Sequence, residues 1–350
     1  MPFGLTGRAL ARMQTALIVA PAFILFGYNQ AGLGGLLTED DWVKTFPEID
    51  TVHSKGAEKS QKSTIQGLVV AVFVIGALFG SLSCSWSGNA FGRRNVIFFA
   101  AICTLIGEIL EASSFGVAQF IVGRIIIGAG VGQLSSIVPV WLSETSGAKN
   151  RGQTVVVSRR APVTWRPPIA IAIFFSLVLM ASIYMFPESP RWLVMKGRVE
   201  EARPLVAMLR GHAVDSLEVS SEIAGIEYSL EETSHSAVKL TDMLKMGEDK
   251  LAYRFGLCIL LQFYQQMSGS NLISVYATIL FQNNLHLGSE LARVLSGGAL
   301  TWKFLASFIA FFTIDRFGRR ALFIISGAGM ACCMVSLAIT TSFPRRTEAP

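Results

Sequence analysis

The chain has 350 residues, 51% of them hydrophobic and only 15% charged, and a formal net charge of +6. That is far too apolar for an ordinary soluble domain of this size, and the basic residues sit in short clusters between apolar runs, which argues for membrane topology rather than nucleic acid. Its five cysteines lie in or beside apolar segments, so neither a disulfide framework nor a zinc site is indicated.

A bilayer crossing needs about 20 mostly apolar helical residues, because no backbone amide can stay unpaired in hydrocarbon. In chain order that criterion predicts eight crossings, near 15–37, 65–86, 95–114, 117–141, 168–187, 252–281, 291–313 and 321–343. The first follows a basic start with Arg8 and Arg12, is too long for a signal-peptide core, and has no small-residue cleavage site after it. It is therefore expected to be retained, with the N-terminus inside. Segment 38–64, with six acids against four lysines, is expected outside, and the short loop carrying Arg93 and Arg94 inside.

The loop after the fourth crossing carries Lys149, Arg151, Arg159, Arg160 and Arg166 against Glu144, and is again expected inside. The fifth predicted crossing would then end outside and carry the basic stretch "PESPRWLVMKGR" with it, which the charge rule forbids. Residues 153–167 cannot supply the missing passage, being too short and holding three arginines. One membrane helix is expected to be absent between Ser158 and Pro167. Residues 188–250 form a polar insert with amphipathic stretches, expected as short cytoplasmic helices that Pro204 must break or start.

Short motifs occupy matching places along this pattern: "GNAFGRR" after the second crossing, "GRIIIGAGVG" opening the fourth, "PVWLSETSGAKNRG" closing it, "PESPRWL", "QQMSGSN" and "IDRFGRR". In this order they closely resemble the sugar porter family of the major facilitator superfamily, in its fungal-type branch of hexose and related sugar transporters. The resemblance implies an all-α integral membrane protein of two pseudo-symmetric helix bundles. Here it would be incomplete, with about eight of the family's twelve spans and the fifth and last three lacking. Residues 1–187 would be the N-terminal bundle, 188–250 the cytoplasmic linker and 251–350 the truncated C-terminal bundle.

The function so implied is transport of a hexose or related monosaccharide by alternating access, as facilitator or proton symporter, from a plasma-membrane location. Its partners would be a sugar, the lipid bilayer and, if coupled, protons, without nucleic acid or cofactor. The alternatives are an inactive truncated or mis-spliced paralogue and a non-transporting sugar sensor. No HExxH, GxSxG or Walker motif suggests an enzyme.

Site expectations divide between residue chemistry and resemblance. Gln265, Gln266 and Asn271 place three amides in an apolar segment, where buried amides need partners and sugar hydroxyls could supply them; interhelical hydrogen bonding is the plainer use. The resemblance favours sugar contact, with Tyr276 and Trp302 as candidate walls of the site. It assigns Arg93, Arg94, Arg124, Glu144, Arg151, Glu188, Arg191, Asp315, Arg316, Arg319 and Arg320 to a cytoplasmic gating network, in which Asn89 and Ala90 replace the usual acid and base. Proton-coupled relatives often carry Asp at Asn29, and an amide exchanges no proton in a useful range. Asn29 thus favours facilitated diffusion, with Glu108 and Glu111 as alternative titrating acids. Lys303, inside an apolar run, has no role in the resemblance.

Overall fold

The computed structural model describes residues 6–51, 54–145, 166–235, 251–285 and 287–342. The chain divides into two compact units, Met1–Met243 and Leu244–Pro350.

The first unit opens with α1 (Gly7–Gln14), a π-helical turn (Thr15–Val19), α2 (Ala20–Ala31) and α3 (Leu33–Leu36), together a span from Ala9 to Leu36. Pro21 has no N–H for the Leu17 carbonyl four residues earlier. Ser182 Oγ, from another helix, donates to that carbonyl at 3.1 Å. The following segment folds back as α4 (Asp40–Thr45) and a 3-10 turn (Pro47–Ile49), burying Trp42, Phe46 and Ile49. Trp42 and Phe46 pack on Phe120 at ring-centroid distances of 5.0 and 5.5 Å.

Three long helices follow, α5 (Gly56–Phe91), α6 (Arg93–Ala112) and α7 (Val117–Thr145), then α8 (Arg166–Ile183). The glycines of "GRIIIGAGVG" explain why α7 sits between α5 and α6. A Cβ on Gly128 would stand 2.3 Å from the Phe73 carbonyl oxygen and one on Gly132 2.2 Å from that of Ala77, while Gly76 and Gly80 of α5 face the Ile125 and Ala129 carbonyls at 2.4 and 2.0 Å. On the other face, Gly123 and Gly130 of α7 and Gly107 of α6 make the same close approach. Such packing lets helices associate in lipid, where burying apolar side chains gives little drive.

Beyond α8 come α9 (Pro190–Met195), α10 (Val199–Arg210) and α11 (Leu217–His235). They share a small core of Leu193, Val194, Ala202, Val206, Ala207, Val219 and Ile223. Met208 and Leu209 pack on the main core, which includes Leu10 of α1. Pro204 neither breaks nor starts a helix: it lies inside α10. Its missing N–H deprives only the Glu200 carbonyl, in the first turn of α10, of a helical partner.

The second unit contains α12 (Leu251–Met267), α13 (Ser270–Leu285) and α14 (Ser289–Ser342). The single crossing expected over 252–281 is thus two helices of 17 and 16 residues, parted at Gly269, whose φ is 71°. Thr278 bonds Ser296 at 2.9 Å and Lys303 bonds Ser274 at 3.2 Å, so α13 and the first half of α14 run antiparallel. The repeated Phe-Gly-Arg-Arg motif has one backbone signature in both units. Gly92 has φ 89° and ψ 163°, Gly318 has φ 77° and ψ 158°, and each turns the chain between two helical runs.

Eight crossings were expected. Among the described residues five helices are by themselves long and apolar enough to cross a membrane: Ala9–Leu36, Gly56–Phe91, Arg93–Ala112, Val117–Thr145 and Arg320–Ile339. Ile169–Ile183 is a shorter apolar helix.

Candidate functional site

Three polar clusters stand inside this apolar framework. The first lies where α5 turns into α6. Arg93 forms a fork on Glu144 of α7, with Nε and Nη2 donating to the two carboxylate oxygens at 3.0 and 3.1 Å, and its Nη1 donates to the Gly88 carbonyl at 2.8 Å. Glu188 caps the start of α6, where backbone N–H groups have no helical partner. Its Oε1 accepts from the N–H groups of Arg93 and Arg94, both at 3.1 Å, and from that of Ser189 at 2.9 Å. Burial pushes the Glu188 carboxyl up from its ordinary value, against the lowering pull of the Ser189 and Arg94 N–H groups and the Arg94 charge. Arg94 lies over the Tyr184 ring at 5.1 Å.

Asn89 holds part of the place of the missing acid. Its Oδ1 accepts from Arg93 Nη1 at 3.4 Å, and its carbonyl accepts from Trp192 Nε1 at 3.1 Å. Of the residues expected at this end, Arg93, Arg94, Glu144 and Glu188 come together. Arg191 is exposed on α9. Arg316 and Arg320 are exposed on α14 in the second unit, the side chains of Asp315 and Arg319 are not described, and Arg151 lies outside the described residues.

Arg124 does not join that cluster. It stands near the opposite end of α7, 20 residues from Glu144, about 30 Å along the helix. There its Nε pairs with Glu111 at 3.4 Å and its Nη1 donates to the Asn29 carbonyl at 2.9 Å. Phe73 and Phe120 present ring faces to the guanidinium at 5.5 and 5.6 Å.

Around this pair is the second cluster. Asn29 Nδ2 donates to the Leu25 carbonyl at 3.0 Å and reaches Glu108 Oε1 at 3.5 Å, while Ser176 Oγ donates to Glu108 Oε2 at 2.9 Å. Thr104, Glu108 and Glu111 recur at a helical spacing on α6 and are all buried, so a polar stripe runs along an otherwise apolar helix. Tyr28, Asn29, Gly32, Leu33, Leu36, Glu111, Arg124 and Ile169 line a small, partly open pocket. The two acids stood out in the sequence, but Ser176 carried no signal, because its partner comes from a helix 68 residues away.

The third cluster is in the second unit. Asn271 Nδ2 donates to Gln266 Oε1 at 3.0 Å across the break at Gly269. Gln265 and Gln266 are exposed, and Asn271 and Tyr276 are half-buried. Trp302 is 70% exposed within its unit. Among the described residues no group of three or more metal-ligating side chains occurs.

Long apolar helices held by glycine contacts, with charged groups sequestered inside the bundle or gathered at its end, define a multi-pass membrane protein. The chain belongs to the Sugar (and other) transporter family, whose model matches residues 15–161 and 157–349. It is 33% identical over 95% of its length to the major facilitator superfamily transporter mfsA of Aspergillus fumigatus, and 31% identical over 97% to the sugar transporter STL1 of Saccharomyces cerevisiae. It spans 66% and 62% of those two proteins. Among solved structures it resembles the xylose transporter XylE from E. coli in a partially occluded inward-open conformation. The TM-score is 0.69 at 22% identity, over 95% of this chain and 80% of that one. The fold is that of the major facilitator superfamily, present in part.

Proposed function

We propose that this chain is a sugar transporter working by alternating access, with Gln265, Gln266, Asn271 and Tyr276 contacting the solute. The observation that carries the proposal is the amide pair Asn271–Gln266 at the helix break. Breaking an apolar helix at a polar sequence costs backbone hydrogen bonds, a cost tolerated at membrane depth only where the segment faces a cavity or protein. Amides offer both donors and acceptors, as alternating sugar hydroxyls require. The family match over nearly the whole chain supports the same solute class.

The Arg93–Glu144 fork and the Glu188 cap form the inner-face lock of the first bundle, on the cytoplasmic side with the N-terminus, in a plasma-membrane protein. The amide at Asn29 exchanges no proton over the physiological range, which supports uptake down the sugar gradient without coupled protons. A second reading, a family member that does not transport, is favoured by one observation: the two family matches meet at 157–161, within the stretch where charge counting leaves one crossing short.

The test is uptake of labelled D-glucose into cells lacking their own hexose carriers. Saturable uptake, lowered about tenfold by Gln266→Ala or Asn271→Ala at equal surface expression, is the expected result. Absence of uptake would overturn transport by this chain in favour of the second reading; uptake indifferent to both substitutions would overturn the site.

A further inference from the structure

We infer that the site in the second unit prefers a sugar bearing a carboxylate, with Lys303 as its counter-ion, so that sugar acids bind more tightly than the neutral hexoses it also takes. This rests on the reading of Gln266 and Asn271 as solute-binding groups.

The depth of Lys303 comes first. It is 14 residues from Ser289, where α14 begins, and 14 from Phe317, just before the kink at Gly318. At 1.5 Å per residue that is about 21 Å of helix on either side. In the crossing expected over 291–313 Lys303 is near the middle, too far for a lysine stem to carry its ammonium to either interface. A charge held at such depth faces a cavity or a partner.

The sequence around it offers no partner of opposite charge. Between Leu251 and Ile314 the single acid is Glu290, 13 residues before Lys303 and about 20 Å away along α14. Among the described residues no ion pair involves Lys303. Its Nζ donates to Ser274 Oγ at 3.2 Å, and the Ser274 hydroxyl in turn donates to the Ser270 carbonyl at 2.8 Å. An ammonium has three donors, so two remain to be placed.

Its position relative to the amides completes the argument. Ser274 lies three residues beyond Asn271 on α13, a spacing that puts both on one helix face about one turn apart. Asn271 is itself bonded to Gln266. The antiparallel packing of α13 and α14 thus brings an exposed cation to the face of α13 that carries Asn271, about one turn away. Amides meet hydroxyls; the ammonium is matched by a carboxylate, which a neutral sugar lacks.

The experiment uses the full chain purified into lipid nanodiscs and compares equilibrium binding of D-glucuronate and D-glucose, which share a ring and differ at one carbon. The expected result is at least about tenfold tighter binding of glucuronate, the scale of a hydrogen bond between charged groups, weakening as salt is raised. Lys303→Met should bring the ratio of the two affinities close to one, and Lys303→Arg should keep it above one. Equal or weaker binding of glucuronate by the unaltered chain overturns the inference without recourse to any variant, as does a ratio unchanged in Lys303→Met. Glucose binding alone, lowered by Gln266→Ala, overturns the acid preference and keeps the sugar site. Saturable binding of neither ligand overturns both.

Discussion

The packing of α7 against α5 makes a sharp prediction about Gly80. A Cβ added there would lie 2.0 Å from the Ala129 carbonyl oxygen and 2.8 Å from its Cα, and Cβ atoms essentially never come within 3.0 Å of such neighbours. The obstacle is backbone on a helix that also packs on α6, so no side chain can swing aside. Gly80→Ala must therefore push α5 and α7 apart by about 1 Å, and overpacking of this kind costs about 1–3 kcal/mol. Gly67, on the same helix, is the control, because nothing lies within 4 Å of a Cβ built there. Gly67→Ala should stabilise the helix by about 0.5–1 kcal/mol through lost chain entropy. At about 2–4 °C per kcal/mol for a unit of this size, the two variants should differ by roughly 3–16 °C in apparent melting temperature. The measurement is the surviving monomer peak on size exclusion after heating in detergent. Melting of Gly80→Ala within about 1 °C of Gly67→Ala would refute the claim that backbone contact, rather than side-chain packing, joins these helices.

Further outcomes follow from the ionic groups. Side chains of Arg93 and Glu144 are only 11% and 10% exposed, so a double-mutant cycle with Arg93→Met and Glu144→Gln should give a coupling of about 1–3 kcal/mol, above the about 0–1 kcal/mol of surface pairs. Arg124→Met leaves Glu111 buried without its cation and should cost about 3–5 kcal/mol. The double variant Arg124→Met with Glu111→Gln should recover much of that loss in the same melting assay. Glu188→Ala strips the cap from α6 and should lower stability by about 1–2 kcal/mol. Hydrogen exchange should then rise at the first amides of α6 while its middle stays protected.

How much of this was legible beforehand depended on whether the signal was local. Apolar runs and basic clusters placed the helices of the first unit to within several residues, because the hydrocarbon demand acts on each segment alone. The break at Gly269 was hidden inside the single crossing expected over 252–281, since one glycine in an apolar run is compatible with both a kink and a stop. Pro204 misled, because a proline near a helix start forfeits so little that tertiary packing overrides it. Arg124 misled differently: the motif containing it is read along the chain, whereas its partners Glu111 and Asn29 come from other helices. Asn89 was legible as a substitution, yet its retained bond to Arg93 needed coordinates.

By itself the amino-acid sequence determined that this is a membrane-embedded helical protein, which segments form the long helices of its first unit, and that one short motif recurs in both parts of the chain. Each follows from local chemistry, the need of every buried backbone amide for a partner and of every charge for water or a counter-charge. Only the tertiary structure decided which polar groups meet. It set Arg93 on Glu144, Arg124 on Glu111, Ser176 on Glu108 and Lys303 on Ser274. Those pairings join residues from 29 to 68 positions apart in several cases, and no period in one helix encodes the face its neighbour will present.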